Sequence, residues 1–189
     1  MNLFQIIITD LPNNELPHEL SSRTARLVSL HPDANYRLVD DAEIRKTLAE
    51  HFGREVLEAY ERLNPYAYRS DLSRYCLLYL FGVLYVDVGI SFHKRIQLPK
   101  GATFFAFRDM NLHARKSWAV SNAIIYAEKG HPVLANAIQG VIKNCEREYY
   151  GMTPLCPTGP TFLGLAGCAD DSVPVCCQCV LPNDQSNHA

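Results

Sequence analysis

A chain of 189 residues, 48% apolar and 20% charged, can build one domain with a substantial core. Its net charge of -2, without a basic cluster interleaved with aromatics, excludes a general nucleic-acid-binding role. No apolar run is long enough to span a bilayer, and the opening "MNLFQIIITD" lacks the basic flank and cleavage site of a signal peptide. The expected location is therefore cytoplasmic, at most at the cytosolic face of a membrane.

In chain order, Phe4 to Ile8 is a β-prone run that reads as a first buried strand, followed by a proline-containing loop. Ser21 to Leu30 predicts a helix with Leu20, Ala25, Leu27 and Val28 inward, stopped by His31-Pro32-Asp33. Tyr36 to Val39 is a short strand. Asp40 or Asp41 then caps a helix with Ile44, Leu48 and Phe52 at helical spacing, and "REVLEAYERL" continues with Val56, Leu57 and Tyr60 on one face. Tyr66 to Phe81 is the strongest helix, ended by Gly82 and followed at once by the strand "VLYVD". Thr103–Asp109 and Ala119–Ala127 are strand candidates. His131-Pro132 opens a helix carrying Leu134, Ile138, Val141 and Cys145, and "PTGPTFLGLAG" is a turn running into a short helix.

Strands alternate with helices, which predicts an α/β layer fold with a largely parallel sheet. Ligands of such sheets sit beyond the carboxyl ends of strands, and Asp87 stands at such an end. Helical spacing places Asp71 three residues before Arg74, on a face away from the Leu72, Cys76, Tyr79 stripe. Taken alone, that pair is an ordinary exposed ion pair. The single-glycine connection to the next strand, however, brings the helix start and the strand end to one edge of the sheet. Two carboxylates and a guanidinium converging there suit a sugar phosphate and a divalent cation.

Other groups carry less. Cys76 and Cys145 read as core residues. Cys156, Cys168, Cys176, Cys177 and Cys179 crowd the end of the chain with spacings that fit no zinc pattern. His93 is a candidate metal ligand, Asp109 a candidate site carboxylate, and Tyr68 and Trp118 candidate stacking groups, each against a commoner structural role. No Ser-His-Asp set and no pair of hydrolase glutamates stands out.

The block "NPYAYRSDLSRYCLLYLFGVLYVDVGI" resembles the signature of glycosyltransferase family 32, the Asp-x-Asp sugar transferases related to fungal initiating mannosyltransferases. Ser70, Asp71, Arg74, Tyr75, Leu78, Tyr79, Gly82, Tyr85 and Asp87 stand in register with it. "HPDANYRLVDD", "SNAIIYAEKGHPVLANAI" and "TGPTFL" resemble further blocks in the family's order, from about Leu11 to Leu165. The resemblance implies a GT-A-like fold, with a Rossmann-type, mostly parallel sheet flanked by helices. It implies a retaining transferase with a nucleotide-diphosphate sugar donor and Mn²⁺ or Mg²⁺. By position, Asp71 would hold donor-sugar hydroxyls, Arg74 the sugar or its phosphate, Asp87 the metal, and Asn122 a polar contact to donor or acceptor.

Two departures qualify this. The family's Gly-Gly is Gly82-Val83, and its second motif Asp is Gly89, which removes one anionic ligand and weakens the expected metal site. The family's late His block has no convincing copy; His188 sits in a tail that resembles nothing. The expectation is a GT-A-like domain over residues 1–167 and an irregular Cys-rich tail over 168–189. It transfers a hexose to a glycan or glycolipid acceptor in polysaccharide or lipopolysaccharide assembly, with peripheral membrane association and no nucleic-acid partner. A catalytically inactive nucleotide-sugar-binding relative and a structural partner of an active transferase are the alternative readings.

Overall fold

The structure is a computed structural model describing residues 2–11, 15–109 and 118–168, with only the backbone of Cys168. In chain order the elements are β1 (Asn2–Ile7), α1 (His18–Leu30), β2 (Asn35–Asp40), α2 (Asp41–His51), α3 (Arg54–Arg62) and α4 (Tyr66–Phe81). They continue with β3 (Leu84–Val86), β4 (Phe104–Arg108), β5 (Val120–Ala127), α5 (Pro132–Glu146) and α6 (Pro160–Cys168). The tail expected from residue 168 onward lies outside the described residues, except for the backbone of Cys168 at the end of α6.

The sheet has the order β2-β1-β3-β5-β4. β1 pairs parallel with both β2 and β3, whereas β5 runs antiparallel to β3 and to β4. Four strands therefore share one direction and only β5 opposes them, so the expected mostly parallel α/β sheet is present.

Period-two alternation sorts the strand side chains between two helical layers. Leu3, Leu84 and Val86 face α1 and pack around Leu27. Phe4, Ile6 and Tyr85 face the other side, where α2 to α6 build the larger core around Ile44, Tyr60, Leu72, Tyr75, Leu134 and Ile138. α1 is the thinner cover. It starts at His18, three residues before the expected Ser21, and of its expected stripe only Leu27 is fully buried, with Ala25 exposed.

Local signals fix the ends of the key elements. The Asp40 side chain accepts from the Glu43 N–H at 2.8 Å and caps α2. Gly82 ends α4 at φ +60°, and a Cβ there would stand 2.3 Å from the Lys129 amide nitrogen. Only glycine combines that left-handed turn with so close a neighbour. α4 is the central helix: Asp71 through Leu78 are all buried, because the sheet, α3 and α5 enclose it. The Asp71–Arg74 face, expected to be exposed when read as an isolated helix, is therefore interior.

Candidate functional site

The chain leaves β1 through α1 to β2 on one side, then returns through α2, α3 and α4 to β3 on the other. The carboxyl ends of β1 and β3 thus flank the switch point of the topology, where open α/β sheets hold ligands. A cleft of about 320 Å³ opens there, lined by Ile8 and Thr9 after β1, Tyr85, Asp87 and Val88 at the end of β3, and Ser70 of α4.

Asp87 follows β3 and keeps a 37% exposed side chain. Its Oδ1 accepts from the Gly89 N–H at 3.0 Å, folding the turn, and its Oδ2 lies 3.8 Å from Arg74 Nη1. The missing side chain at Gly89 leaves open space: a Cβ would meet only Asp87 Oδ1, at 3.6 Å.

Beneath the cleft lies a buried polar cluster. Asp71 is 7% and Arg74 4% exposed, with 3.2 Å between Asp71 Oδ1 and Arg74 Nη2. Asn122 Nδ2 donates to Asp71 Oδ1 at 2.7 Å, and Thr158 Oγ1 donates to Oδ2 at 2.7 Å. Arg74 donates to the Asn122 carbonyl at 2.6 Å and to the Ser70 carbonyl and hydroxyl, and its guanidinium lies 4.7 Å from the Tyr85 ring centroid. Tyr75 donates to the Thr158 carbonyl at 2.6 Å, fixing the loop that reaches Asp71. Gly159 follows, and a Cβ on it would stand 3.5 Å from Asp71 Oδ2.

Burial raises the Asp71 pKa above its ordinary 3.8, outweighing the opposing pull of Arg74, Thr158 and Asn122. Burial works against the Arg74 charge as well, but Tyr85, Asp71 and Asp87 more than compensate and hold the guanidinium protonated.

Asp71, Arg74, Asp87 and Asn122, separated by up to 51 positions in sequence, are thus brought together. Thr158, Tyr75 and Tyr85 join them without having been singled out as site residues. The i, i+2 spacing of Tyr85 and Asp87 on a strand could have flagged Tyr85, and Thr158 could have been found as the first residue of the family-like block "TGPTFL". His93 is exposed and does not line the cleft. Trp118 is 37% exposed, and its carbonyl packs against Gly164 of α6. Tyr68 lines a separate cleft beside α5 with Asn144 and Tyr149. Cys76 is buried and Cys145 half-buried beside the Ala59 carbonyl, as core residues should be. His188 and the last four cysteines' side chains lie outside the described residues.

Among the described residues no group of three or more His, Cys, Asp or Glu side chains could hold a metal ion. Among the described residues lining the cleft, Asp87 is the one carboxylate, half-buried, and a guanidinium stands beside it. This set does not fit a protein-enclosed divalent site, which needs several oxygen ligands.

The fold and this strand-end site define a GT-A-type sugar transferase architecture. Residues 17–112 match the family described as the glycosyltransferase sugar-binding region containing a DXD motif, which is half of the chain, and the chain belongs to that family. Members of GT-A fold generally use a divalent metal. Among similar proteins is inositol phosphoceramide mannosyltransferase 3 of Schizosaccharomyces pombe, 25% identical over 85% of this chain and 44% of its own length. A mannosyl phosphorylinositol ceramide synthase of Saccharomyces cerevisiae is 25% identical over 85% of this chain and 41% of its own. The chain spans less than half the length of these curated relatives. The solved structure of PaToxG glycosyltransferase shares the fold, with a TM-score of 0.68 at 17% identity, covering 87% of this chain and 66% of that one. No described helix is long and apolar enough to cross a membrane.

Proposed function

We propose that the protein transfers a hexose from a nucleotide-diphosphate sugar to a glycan or glycolipid acceptor. The observation that carries this is the position of Asp87: a partly exposed carboxylate at the switch point of the sheet, on the rim of a cleft large enough for a sugar phosphate. Asp71 and Arg74 lie buried beneath the cleft, behind the Ser70, Tyr85 and Asp87 that line it. Asp71, bound from three sides, offers its one remaining lone pair to a donor hydroxyl, and Asn122 and Thr158 fix its orientation before the donor arrives. Arg74 pairs with Asp71, faces Asp87, and stabilises negative charge developing on the leaving diphosphate. A glycolipid acceptor, met at a membrane surface, accords with the names of the two fungal relatives. A divalent cation, if recruited, has one protein carboxylate to bind and takes its other oxygens from phosphate and water, which makes its site weak.

The test is turnover of a panel of UDP- and GDP-hexoses, each with and without Mn²⁺, by the wild-type chain and Asp87→Ala. Release or transfer of sugar by the wild type, lost at least a hundredfold in Asp87→Ala, is the expected result. Equal turnover by both proteins overturns the site. Gly89 favours one second reading, a donor-binding relative that has lost catalysis. Binding of nucleotide sugars with no turnover under any condition identifies that case.

A further inference from the structure

We propose that the Arg23 guanidinium replaces the family motif's second carboxylate by holding the donor diphosphate directly, so that donor binding needs no divalent cation. This rests on the donor reading above.

In an Asp-x-Asp turn, the second carboxylate binds a cation and the cation binds the diphosphate. A guanidinium at the same place makes the charge sequence one link shorter, and its planar fork matches phosphate oxygens in pairs. Here the second motif position is Gly89, with nothing but Asp87 Oδ1 near the space a side chain would take. Arg23 of α1 donates from Nη1 to the Gly89 carbonyl. A guanidinium thus stands on the carbonyl side of the turn whose second motif side chain is missing, more than 4 Å from the space that side chain would take.

Its position is fixed from below. Thr24, the next residue, donates to Gln5 Oε1 at 2.8 Å, and Gln5 Nε2 donates to the Asp87 carbonyl at 3.3 Å. Tyr36 donates a second bond to Gln5 Oε1 at 3.0 Å. Gln5 is 1% exposed. A buried amide therefore ties α1 to the Asp87–Gly89 turn, and Arg23 follows on the helix surface. Leu20, one turn earlier on the same face, lines the cleft.

The surrounding charges agree with this assignment. Arg23 also pairs with Glu19, whose side chain is 76% exposed, a surface pair that a phosphate can readily displace. Asp87 has its Oδ1 occupied by the Gly89 N–H and its Oδ2 opposite Arg74, so its charge is already countered. A carboxylate at position 89 would pair with Arg23, and a cation there would face a like charge. Gly89 and Arg23 are thus compatible with each other and jointly unfavourable to a metal.

The experiment measures binding of GDP and UDP to the full chain by calorimetry in EDTA and again in Mn²⁺, with guanosine and uridine as phosphate-free controls. One of the diphosphates is expected to bind in EDTA. Arg23→Gln should weaken it at least tenfold while leaving the matching nucleoside unchanged. Glu19→Gln, which frees the guanidinium, should tighten it. Both residues are on the surface, and Arg23→Lys, which keeps the charge and loses the fork, should fall between wild type and Arg23→Gln. Diphosphate binding that requires Mn²⁺, or that ignores all three substitutions, overturns the proposal and leaves the donor reading standing. Absence of diphosphate binding with or without Mn²⁺ overturns both.

Discussion

At Asp71 burial and function pull in opposite directions. The buried carboxylate has a pKa raised above 3.8, so between 3.8 and that raised value it takes up a proton in the folded chain that the unfolded chain has released. Ionised Asp71 therefore costs stability, and that cost disappears as pH falls through the raised pKa. Donor binding needs the ionised form and should be lost in the same window. A binding titration against pH should show an acid limb with its midpoint above 3.8, absent in Asp71→Asn; a limb at or below 3.8 argues against Asp71. Gly89 gives the complementary prediction. The open space there accepts a Cβ without clash, so Gly89→Asp should fold normally. Its affinity for Mn²⁺ should rise about tenfold, since ligand charge count sets the affinity of hard-cation sites. In an Arg23→Gln background the gain should be larger, because the two changes share one partner. Calorimetric titration of Mn²⁺ into the single and double variants checks this.

The element that matters most is α4, held at both ends by features a substitution can test. At its end Gly82 combines φ +60° with a close approach to Lys129. Gly82→Ala should destabilise the chain by about 1–3 kcal/mol, read from denaturant midpoints, because both the left-handed backbone and the contact resist a methyl group. Near its start, Arg69 lies 5.7 Å from the ring of Tyr60 in α3, and Tyr60 donates its hydroxyl to Asp41 of α2, which also accepts from Arg45 at 2.7 Å. Burial tends to raise the Asp41 pKa, but these two hydrogen bonds and the nearby guanidiniums lower it overall. A lowered carboxylate pKa contributes stability above the unfolded value, and that contribution is lost as pH falls through the folded one. Tyr60→Phe should cost about 1.5–3 kcal/mol at neutral pH. Much of that difference should vanish once acid protonates Asp41; a difference independent of pH would place the effect in ring packing instead.

Across the whole molecule, the order of elements and the α/β class were legible because hydrophobic periodicity and Gly, Pro and Asp punctuation are local signals. An α2 cap at Asp40 or Asp41, Gly82 as the α4 stop and Asp87 as a strand-end carboxylate follow from neighbours within a few residues; the structure chooses Asp40. The strand order β2-β1-β3-β5-β4, the reversal of β5 and the burial of Asp71 and Arg74 do not, because they depend on what packs around α4 from distant segments. A helix with Ser70, Asp71, Ser73 and Arg74 reads as having a polar outer face until α5, β5 and the Thr158 loop close over it. The sequence by itself determined the elements, the family block and the vacancy at Gly89, since each is written in adjacent residues. Only the tertiary structure decided that Thr158 and Asn122 clamp Asp71, and that Arg23, 66 positions from Gly89, reaches its carbonyl. Hydrogen bonds act over about 3 Å, and such proximity between distant residues exists only once the sheet has brought β1, β3 and β5 side by side.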